Sequence, residues 1–185
     1  MKVSVIGGTG FIGSYIVERL LAAGHTPRLL VRPASIGRVE QANQCEIVAG
    51  DVDDQAAMSN CLEGTDAVIY LIGILREFPA RGITFDRLQS KAVQQVVETA
   101  RDRGVRRFLL MSANGVKPNG TPYQQSKFMA EETVKSSGLD WTMFRPSVVF
   151  GNPQGRMEFC TQLKRDIIDS HLPAPLFYSG LLPVD

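Results

Sequence analysis

Three glycines near the start of the chain have the spacing with which a backbone binds an anionic phosphate. Gly7, Gly10 and Gly13 follow a short apolar run and open a segment of helical periodicity. Glycine permits a tight turn at the first position, close backbone approach to an anion at the second, and close packing of the helix on a sheet at the third. The free amides and positive dipole end of that helix would face the phosphates. The loop therefore predicts a dinucleotide diphosphate site formed by Gly7, Thr9, Gly10, Phe11, Ile12 and Gly13.

The segment after the second apolar run carries arginine where many dinucleotide sites carry a carboxylate. Sites that prefer NAD usually place Asp or Glu there to bind the ribose 2′-hydroxyl. This chain has Arg32 and Ser35 instead, and a guanidinium matches the geometry of a 2′-phosphate. Arg28 and Arg38 are weaker candidates for the same role, and a solvated Arg32 at a strand end is the alternative. The pattern favours NADP(H) over NAD(H).

Two further segments follow apolar runs and would lie at the same edge of a sheet as the glycine loop. Asp51 could accept a hydrogen bond from the adenine amino group while Val52 covers the ring. Asp51 as the cap of the next short helix is the alternative. Leu71, Ile72 and Gly73 would place apolar surface and bare backbone against the ribose and phosphates.

Apolar runs of four to six residues alternate with helical patterns along nearly the whole chain. Such runs, without polar alternation, are typical of parallel strands covered on both faces. The predicted strands are Lys2–Ile6, Arg28–Val31, Glu46–Ala49, Ala67–Ile72, Arg107–Met111 and Trp141–Phe144. The predicted helices are Phe11–Ala23, Asp54–Leu62, Phe85–Arg103, Tyr123–Lys135 and one that begins near Met157. The predicted fold class is α/β: a Rossmann-type doubly wound parallel sheet in three layers, α/β/α.

Length and composition fit one globular domain with a single core. The 185 residues are 44% hydrophobic and 21% charged, with a formal net charge of +1, which gives no electrostatic argument for a nucleic-acid partner. The chain lacks both a transmembrane run and a signal-peptide pattern, so a cytoplasmic location is expected. Cys45, Cys61 and Cys160 are odd in number and widely spaced, which predicts reduced, mostly buried thiols and no metal site.

The end of the chain differs in composition from the rest. Residues 172–185 are rich in proline and glycine and contain no evident closing element. We therefore expect residues 1–155 to form the dinucleotide-binding domain, and residues 156–185 to begin a truncated substrate-binding region of a longer protein.

Several motifs occur together in a fixed order. They are Val5–Gly13, Gly50–Val52, Tyr123–Lys127 and Arg145–Gly151. This combination resembles the extended and atypical short-chain dehydrogenase/reductases, the NAD-dependent epimerase/dehydratase superfamily, over nearly the whole chain. Residues 112–115, closely followed by the tyrosine–lysine pair, are similar to the branch of the 39-kDa accessory subunit of respiratory complex I, near the NmrA-like proteins.

The resemblance implies roles for residues outside the phosphate loop. Tyr123 and Lys127 lie four residues apart and would share one helix face. The lysine would bind the nicotinamide ribose and lower the pKa of the tyrosine, which would exchange a proton with the substrate. Ser112 would hydrogen-bond the substrate oxygen. Pro146 and Ser147 would lie against the nicotinamide.

The sequence departs from the pattern of active members at Ser112, at Gln89 and in the segment from Ser112 to Tyr123, which is short for an extended enzyme. Ser112 is the only hydroxyl residue directly after the fifth strand, and a register one residue later would place Ala113 there. Gln89 stands where the family often has an asparagine. Two functions therefore stay open: an NADP(H)-dependent oxidoreductase or sugar-nucleotide epimerase/dehydratase with an unknown small-molecule substrate, or a catalytically weak NADPH-binding accessory, assembly or redox-sensor subunit. As a partner we expect a second copy of the chain or, peripherally, a respiratory complex.

Overall fold

The computed structural model describes residues 1–152, 160–161 and 164–169. The chain divides into two compact units, Met1–Ser147 and Val148–Asp185. The first unit contains every site residue predicted above. In the second unit, Lys164–Ile168 forms a short π-helical segment. The start of the helix predicted near Met157 and most of the predicted substrate-binding region lie outside the described residues, whereas Cys160 and Thr161 are helical.

Six parallel strands form one sheet in the first unit. They are β1 (Lys2–Ile6), β2 (Thr26–Val31), β3 (Glu46–Ala49), β4 (Ala67–Tyr70), β5 (Arg107–Met111) and β6 (Asp140–Phe144). Their order is β3-β2-β1-β4-β5-β6, so the chain winds outward in both directions from the β1–β4 pair. The predicted doubly wound sheet is confirmed. Its carboxyl edge has a crevice at the point where the winding direction reverses, and ligands bind at such points in α/β sheets.

Helices cover both faces of this sheet and enclose two apolar clusters. They are α1 (Phe11–Ala22), α2 (Gln55–Leu62), α3 (Ala92–Asp102) and α4 (Pro122–Lys135). On one face Val17 of α1 packs with Val5 and Leu29 of the strands. On the other face α2, α3 and α4 share a larger cluster around Phe108 and Leu110. The three-layer arrangement is confirmed, with three of its helices on one face.

The prediction for the longest helix was wrong in one respect. The sequence predicts a continuous α-helix over Phe85–Arg103, but Asp86–Lys91 is π-helical and only Ala92–Asp102 is α-helical. Gln89 is buried inside the π-helical segment, and its amide donates to the Ile74 carbonyl at 2.7 Å. A π-turn inserts one extra residue per turn, often beside a functional site. Hydrophobic periodicity does not reveal such an insertion.

Candidate functional site

The glycine loop joins β1 to α1 with a geometry that only glycine accepts. Gly7 has a φ of +95°, in the left-handed region that other residues rarely adopt. A Cβ on Gly13 would collide with the Gly7 carbonyl oxygen and lie 2.7 Å from the Gly8 Cα. Gly10 is the N-terminal cap of α1 and no side chain caps the helix there, so Phe11 and Ile12 begin it with uncapped amides. This cradle fits the diphosphate of a dinucleotide.

A cleft of about 280 Å³ extends from this loop along the carboxyl ends of β1 to β4. The sequence places its lining residues far apart, but the carboxyl ends of parallel strands meet at one edge of a sheet. The predicted cofactor residues that line it are Gly7, Thr9, Arg32, Asp51, Val52, Leu71, Ile72 and Gly73. Lining residues that the sequence did not indicate are Ile74, Ile83, Arg87 and Leu88.

Arg32 lies in the cleft directly after β2, whereas Arg28 serves the fold. The Arg32 side chain has no ion pair or hydrogen bond with any other residue that the structure describes, and Ser35 is buried beside it one turn later. Arg28 contacts Glu46 at 2.6 Å and donates to the carbonyls of Asn60 and Glu63. These partners make Arg28 unsuitable as a helper in phosphate binding. Arg38 ends the short 3₁₀ segment after β2 and is exposed.

Asp51 pairs with an arginine that is distant along the chain and that no local pattern places beside it. Arg87 contacts the Asp51 carboxylate at 3.2 Å and the Asp53 carboxylate at 2.5 Å. The second Asp51 oxygen accepts from the Val52 amide at 2.8 Å. The cap of α2 is Asp54, which accepts from Ala57, so the capping role considered for Asp51 is wrong. The Asp51 carboxylate is thus fixed at the wall of the cleft.

Lys127 reaches from α4 to the end of the cleft. Its Nζ donates to the Met111 carbonyl at 2.9 Å and lies 3.5 Å from the Ile72 carbonyl. A Cβ on Gly73 would lie 3.4 Å from the same Nζ, so the glycine leaves room for it. Burial lowers the pKa of Lys127 to about 8, against an opposing effect of the Glu131 carboxylate. Burial therefore destabilises the protonated form of Lys127, which lies next to backbone carbonyl groups.

Replacing Lys127 by methionine should change how stability depends on pH. Because its folded pKa of about 8 lies below the usual 10.5, the protonated lysine destabilises the fold below pH 8. The free energy of unfolding should rise by about 3 kcal/mol between pH 8 and 10.5 as the folded state loses its proton first. Lys127→Met should lack this rise in urea unfolding, whereas Lys117→Met, at an exposed site, should retain it. Equal pH profiles for all three proteins would contradict the assignment.

Tyr123 lies one turn before Lys127 on α4. Its ring packs edge-on against Phe85, with centroids 5.7 Å apart. The side chain is half-buried, and desolvation raises the pKa of its hydroxyl. The resemblance implies a lowered value, which requires the lysine charge nearby. The Lys127 Nζ instead contacts backbone carbonyls, and burial keeps Tyr123 in its protonated form near neutral pH.

Ser112 belongs to a buried polar network. Its hydroxyl donates to Glu131 at 2.6 Å, and Arg145 binds both oxygens of the same carboxylate. Burial is the largest single effect and raises the pKa of Glu131, but the hydrogen bonds from Arg145 and Ser112 and the charges of Arg145 and Lys135 together outweigh it, so the pKa is lowered. The catalytic role of Ser112 stays a prediction, because its proton is committed to Glu131. The sequence analysis did not identify this network. The available signal was the four-residue spacing of Glu131 from Lys127, which places both side chains on one face of α4.

Pro146 and Ser147 follow β6 at the same edge of the sheet but do not line the cleft. The Pro146 carbonyl accepts from Asn114 at 2.8 Å, which joins the two segments after β5 and β6. Their contact with a nicotinamide stays a prediction.

Among the residues that the structure describes, no three or more His, Cys, Asp or Glu side chains gather as metal ligands would. No described helix has the length and apolar character to span a membrane. None of the three cysteines forms a disulfide; Cys61 is buried, Cys45 is partly exposed and Cys160 is exposed, so the expectation of mostly buried thiols was wrong for Cys45 and Cys160.

Comparison with known proteins agrees with this geometry. The NAD(P)H-binding family model matches residues 7–167. The ceramide reductase of Caulobacter vibrioides is 28% identical over 149 residues, which cover 80% of this chain and 46% of that protein. The 40 kDa subunit of the NADH-ubiquinone oxidoreductase of Neurospora crassa is 26% identical over 153 residues, or 80% of this chain and 40% of that subunit.

The fold also matches a solved structure. The crystal structure of the Bordetella bronchiseptica enzyme WbmH in complex with NAD⁺ superposes with a TM-score of 0.71 at 24% identity, covering 84% of this chain and 58% of that one. The chain thus spans about half the length of the relatives that it matches. The glycine cradle, the cleft at the winding reversal and the family match agree, and the chain belongs to the NAD(P)H-binding family.

Proposed function

We propose that this chain binds NADP(H) in preference to NAD(H) and that the whole protein is an oxidoreductase. The observation that carries the cofactor preference is Arg32, whose guanidinium lies in the cleft without a described protein partner. Ser35 supplies a hydroxyl nearby. Neither residue is a carboxylate that would repel a 2′-phosphate or select a 2′-hydroxyl. The adenosine end binds between β2 and Asp51, and the nicotinamide ribose binds towards Lys127.

The proposed chemistry is reduction of a small-molecule carbonyl. A bound NADPH would supply hydride for the carbonyl carbon, and Tyr123 would donate its proton to the carbonyl oxygen. Burial raises the pKa of Tyr123 and keeps it protonated near neutral pH, which suits an acid in the reductive direction. Lys127 would bind the nicotinamide ribose. Its positive charge would stabilise the Tyr123 phenolate that proton transfer leaves behind. The same pair would serve a sugar-nucleotide epimerase or dehydratase.

Titration with NADPH and NADH tests the cofactor preference. The wild-type chain should bind NADPH more tightly than NADH, and Arg32→Ala should weaken NADPH binding by about 1–3 kcal/mol, the scale for losing one partner of a charged hydrogen bond. NADH affinity should hardly change. Isothermal titration calorimetry measures both affinities.

Arg101→Ala is the matched control because Arg101 is exposed at the end of α3, near the amino edge of the sheet. It changes the net charge equally and should leave both affinities unaltered. Equal NADPH and NADH affinities in the wild type, with no effect of Arg32→Ala, would remove the case for NADP(H).

An accessory role is the second candidate, and the Ser112–Glu131 hydrogen bond is the observation that favours it. A hydroxyl committed to a buried carboxylate is poorly placed to bind a substrate oxygen. In such a subunit NADPH would stabilise the fold without turnover, and the Neurospora relative is a respiratory-complex subunit. Substrate-dependent loss of absorbance at the reduced nicotinamide band distinguishes the two: turnover supports the oxidoreductase, and tight binding without turnover across carbonyl substrates supports the accessory role.

A further inference from the structure

The loop between β4 and the π-helical segment is closed on itself at the rim of the cleft. We call residues 74–84 the rim loop. Ile74 and Ile83, at its two ends, line the cleft. Phe78 and Ile83 form an antiparallel bridge, with N–O distances of 2.7 and 3.2 Å, and Gly82 turns the chain at a φ of +65°. The loop is therefore preorganised rather than merely connecting two elements.

Most charges in and beside the rim loop have partners within the fold. Glu77 accepts from the Phe85 amide at 2.7 Å. Asp86 pairs with Lys91 at 2.7 Å, and Arg87 pairs with the two aspartates that follow β3. Every charged side chain of residues 77–91 except Arg81 therefore has an ion-pair or hydrogen-bond partner among these contacts.

Arg76 and Arg81 are the two cations of the rim loop, and no described carboxylate pairs with either. Their guanidinium carbons lie 5.6 and 6.0 Å from the centroid of the Phe78 ring. An aromatic ring holds a guanidinium by its face and leaves the N–H groups available to an anion. Phe78 thus places two guanidinium groups, each with uncommitted donors, around one point of the rim.

Apolar surface accompanies these cations. Leu75 is 58% exposed and Phe78 is 45% exposed, both on the same loop. A ligand that matches the loop therefore combines an anionic group with an apolar body. The apolar side chains of Ile74 and Ile83 continue this surface into the cleft.

We propose that Arg76 and Arg81 bind the carboxylate or phosphate of an amphiphilic small molecule, the substrate, at the mouth of the cofactor cleft. This inference rests on the proposed function, since it assigns the substrate's acidic group to the rim loop. The apolar body of the substrate packs on Phe78 and extends towards the nicotinamide end. The two arginines select acidic substrates over neutral ones because a neutral analogue leaves their donors without an anion.

The observations favour a small molecule over a membrane surface. Anionic lipid surfaces are recognised by clusters of about four to eight basic residues. The rim loop offers two, and the chain as a whole has a net charge of +1. Continuity with the cleft also points to a ligand that enters it.

The experiment uses the whole chain saturated with NADP⁺ and the dye 8-anilinonaphthalene-1-sulfonate, an amphiphilic aromatic anion. The double variant Arg76→Gln/Arg81→Gln is compared with Arg101→Gln/Arg106→Gln, which loses the same charge at exposed positions near the amino edge of the sheet. The rim variant should bind the dye about tenfold more weakly than the wild type, and the control should bind it normally. Inorganic phosphate should displace the dye from the wild type, as should a fatty carboxylate.

Three outcomes would overturn the proposal. Equal dye affinity in both double variants would show that the arginines bind no anion. A loss of NADP⁺ affinity in the rim variant, beyond twofold by calorimetry, would assign the arginines to the cofactor's own phosphates. Arginine-dependent binding to phosphatidylglycerol vesicles without displacement of the dye by phosphate would assign them to a membrane. Failure of the wild type to bind NADP⁺ contradicts the proposed function instead, and the dye comparison is then made on the cofactor-free chain.

Discussion

Replacing Gly13 by alanine is expected to abolish measurable NADPH binding and to lower the free energy of unfolding by about 2–3 kcal/mol. The added Cβ would overlap the Gly7 carbonyl oxygen and lie 2.7 and 2.8 Å from two backbone atoms of Gly8. Backbone cannot rotate away as a side chain can, so α1 must move off the sheet. That shift displaces the uncapped amides of the helix from the phosphates, which removes their aligned hydrogen bonds and dipole.

Gly37→Ala is the control for this change. A Cβ on Gly37 would meet nothing within 4 Å, and the backbone φ of Gly37 lies outside the left-handed region. It should leave NADPH affinity unchanged and leave stability equal or slightly higher. Urea unfolding and NADPH fluorescence titration measure the two quantities. Wild-type NADPH affinity in Gly13→Ala would show that the loop does not position the cofactor.

Replacing Tyr123 by phenylalanine is expected to reduce turnover by about 10²–10⁴-fold while leaving NADPH affinity within twofold of the wild type. Phenylalanine retains the edge-on contact with Phe85 and removes only the proton donor. Because burial raises the pKa of Tyr123, its hydroxyl stays protonated at neutral pH, and wild-type reductive activity should fall first above about pH 8, where Lys127 loses its positive charge. The residual activity of Tyr123→Phe should be low throughout the neutral range, because no proton donor replaces the hydroxyl.

The measurement is the rate of absorbance loss at the reduced nicotinamide band with a carbonyl substrate, as a function of pH. Tyr15→Phe serves as the control, since α1 lies on the opposite face of the sheet from α4. It should leave the rate unaltered. Undiminished turnover in Tyr123→Phe would assign proton donation to another group and leave Tyr123 a packing residue.

Local sequence was sufficient to predict the six strands, the helices apart from the π-helical turn, and the glycine loop. Strand and helix positions follow from hydrophobic periodicity, which is a property of neighbouring residues, and the glycine spacing reflects steric limits within one turn. A parallel arrangement of the strands could also be inferred, because buried strands alternate with helices along the chain. Since parallel strands end at one edge, Gly7, Arg32 and Asp51 were predicted to meet, and the cleft confirms that they do.

Pairing and burial were decided only by the tertiary structure. Arg87 lies 36 residues from Asp51 and Ser112 lies 19 from Glu131, and no local pattern joins either pair. Their contacts exist because a π-helical turn and α4 approach particular strand ends, and that approach depends on the packing of whole elements. The same packing buries Lys127 among backbone carbonyls and lowers its pKa, a property of the surroundings rather than of the residue. Sequence thus determined which groups are available, whereas the folded environment determined their charge and partners, because desolvation and Coulomb interactions act through space and not along the chain.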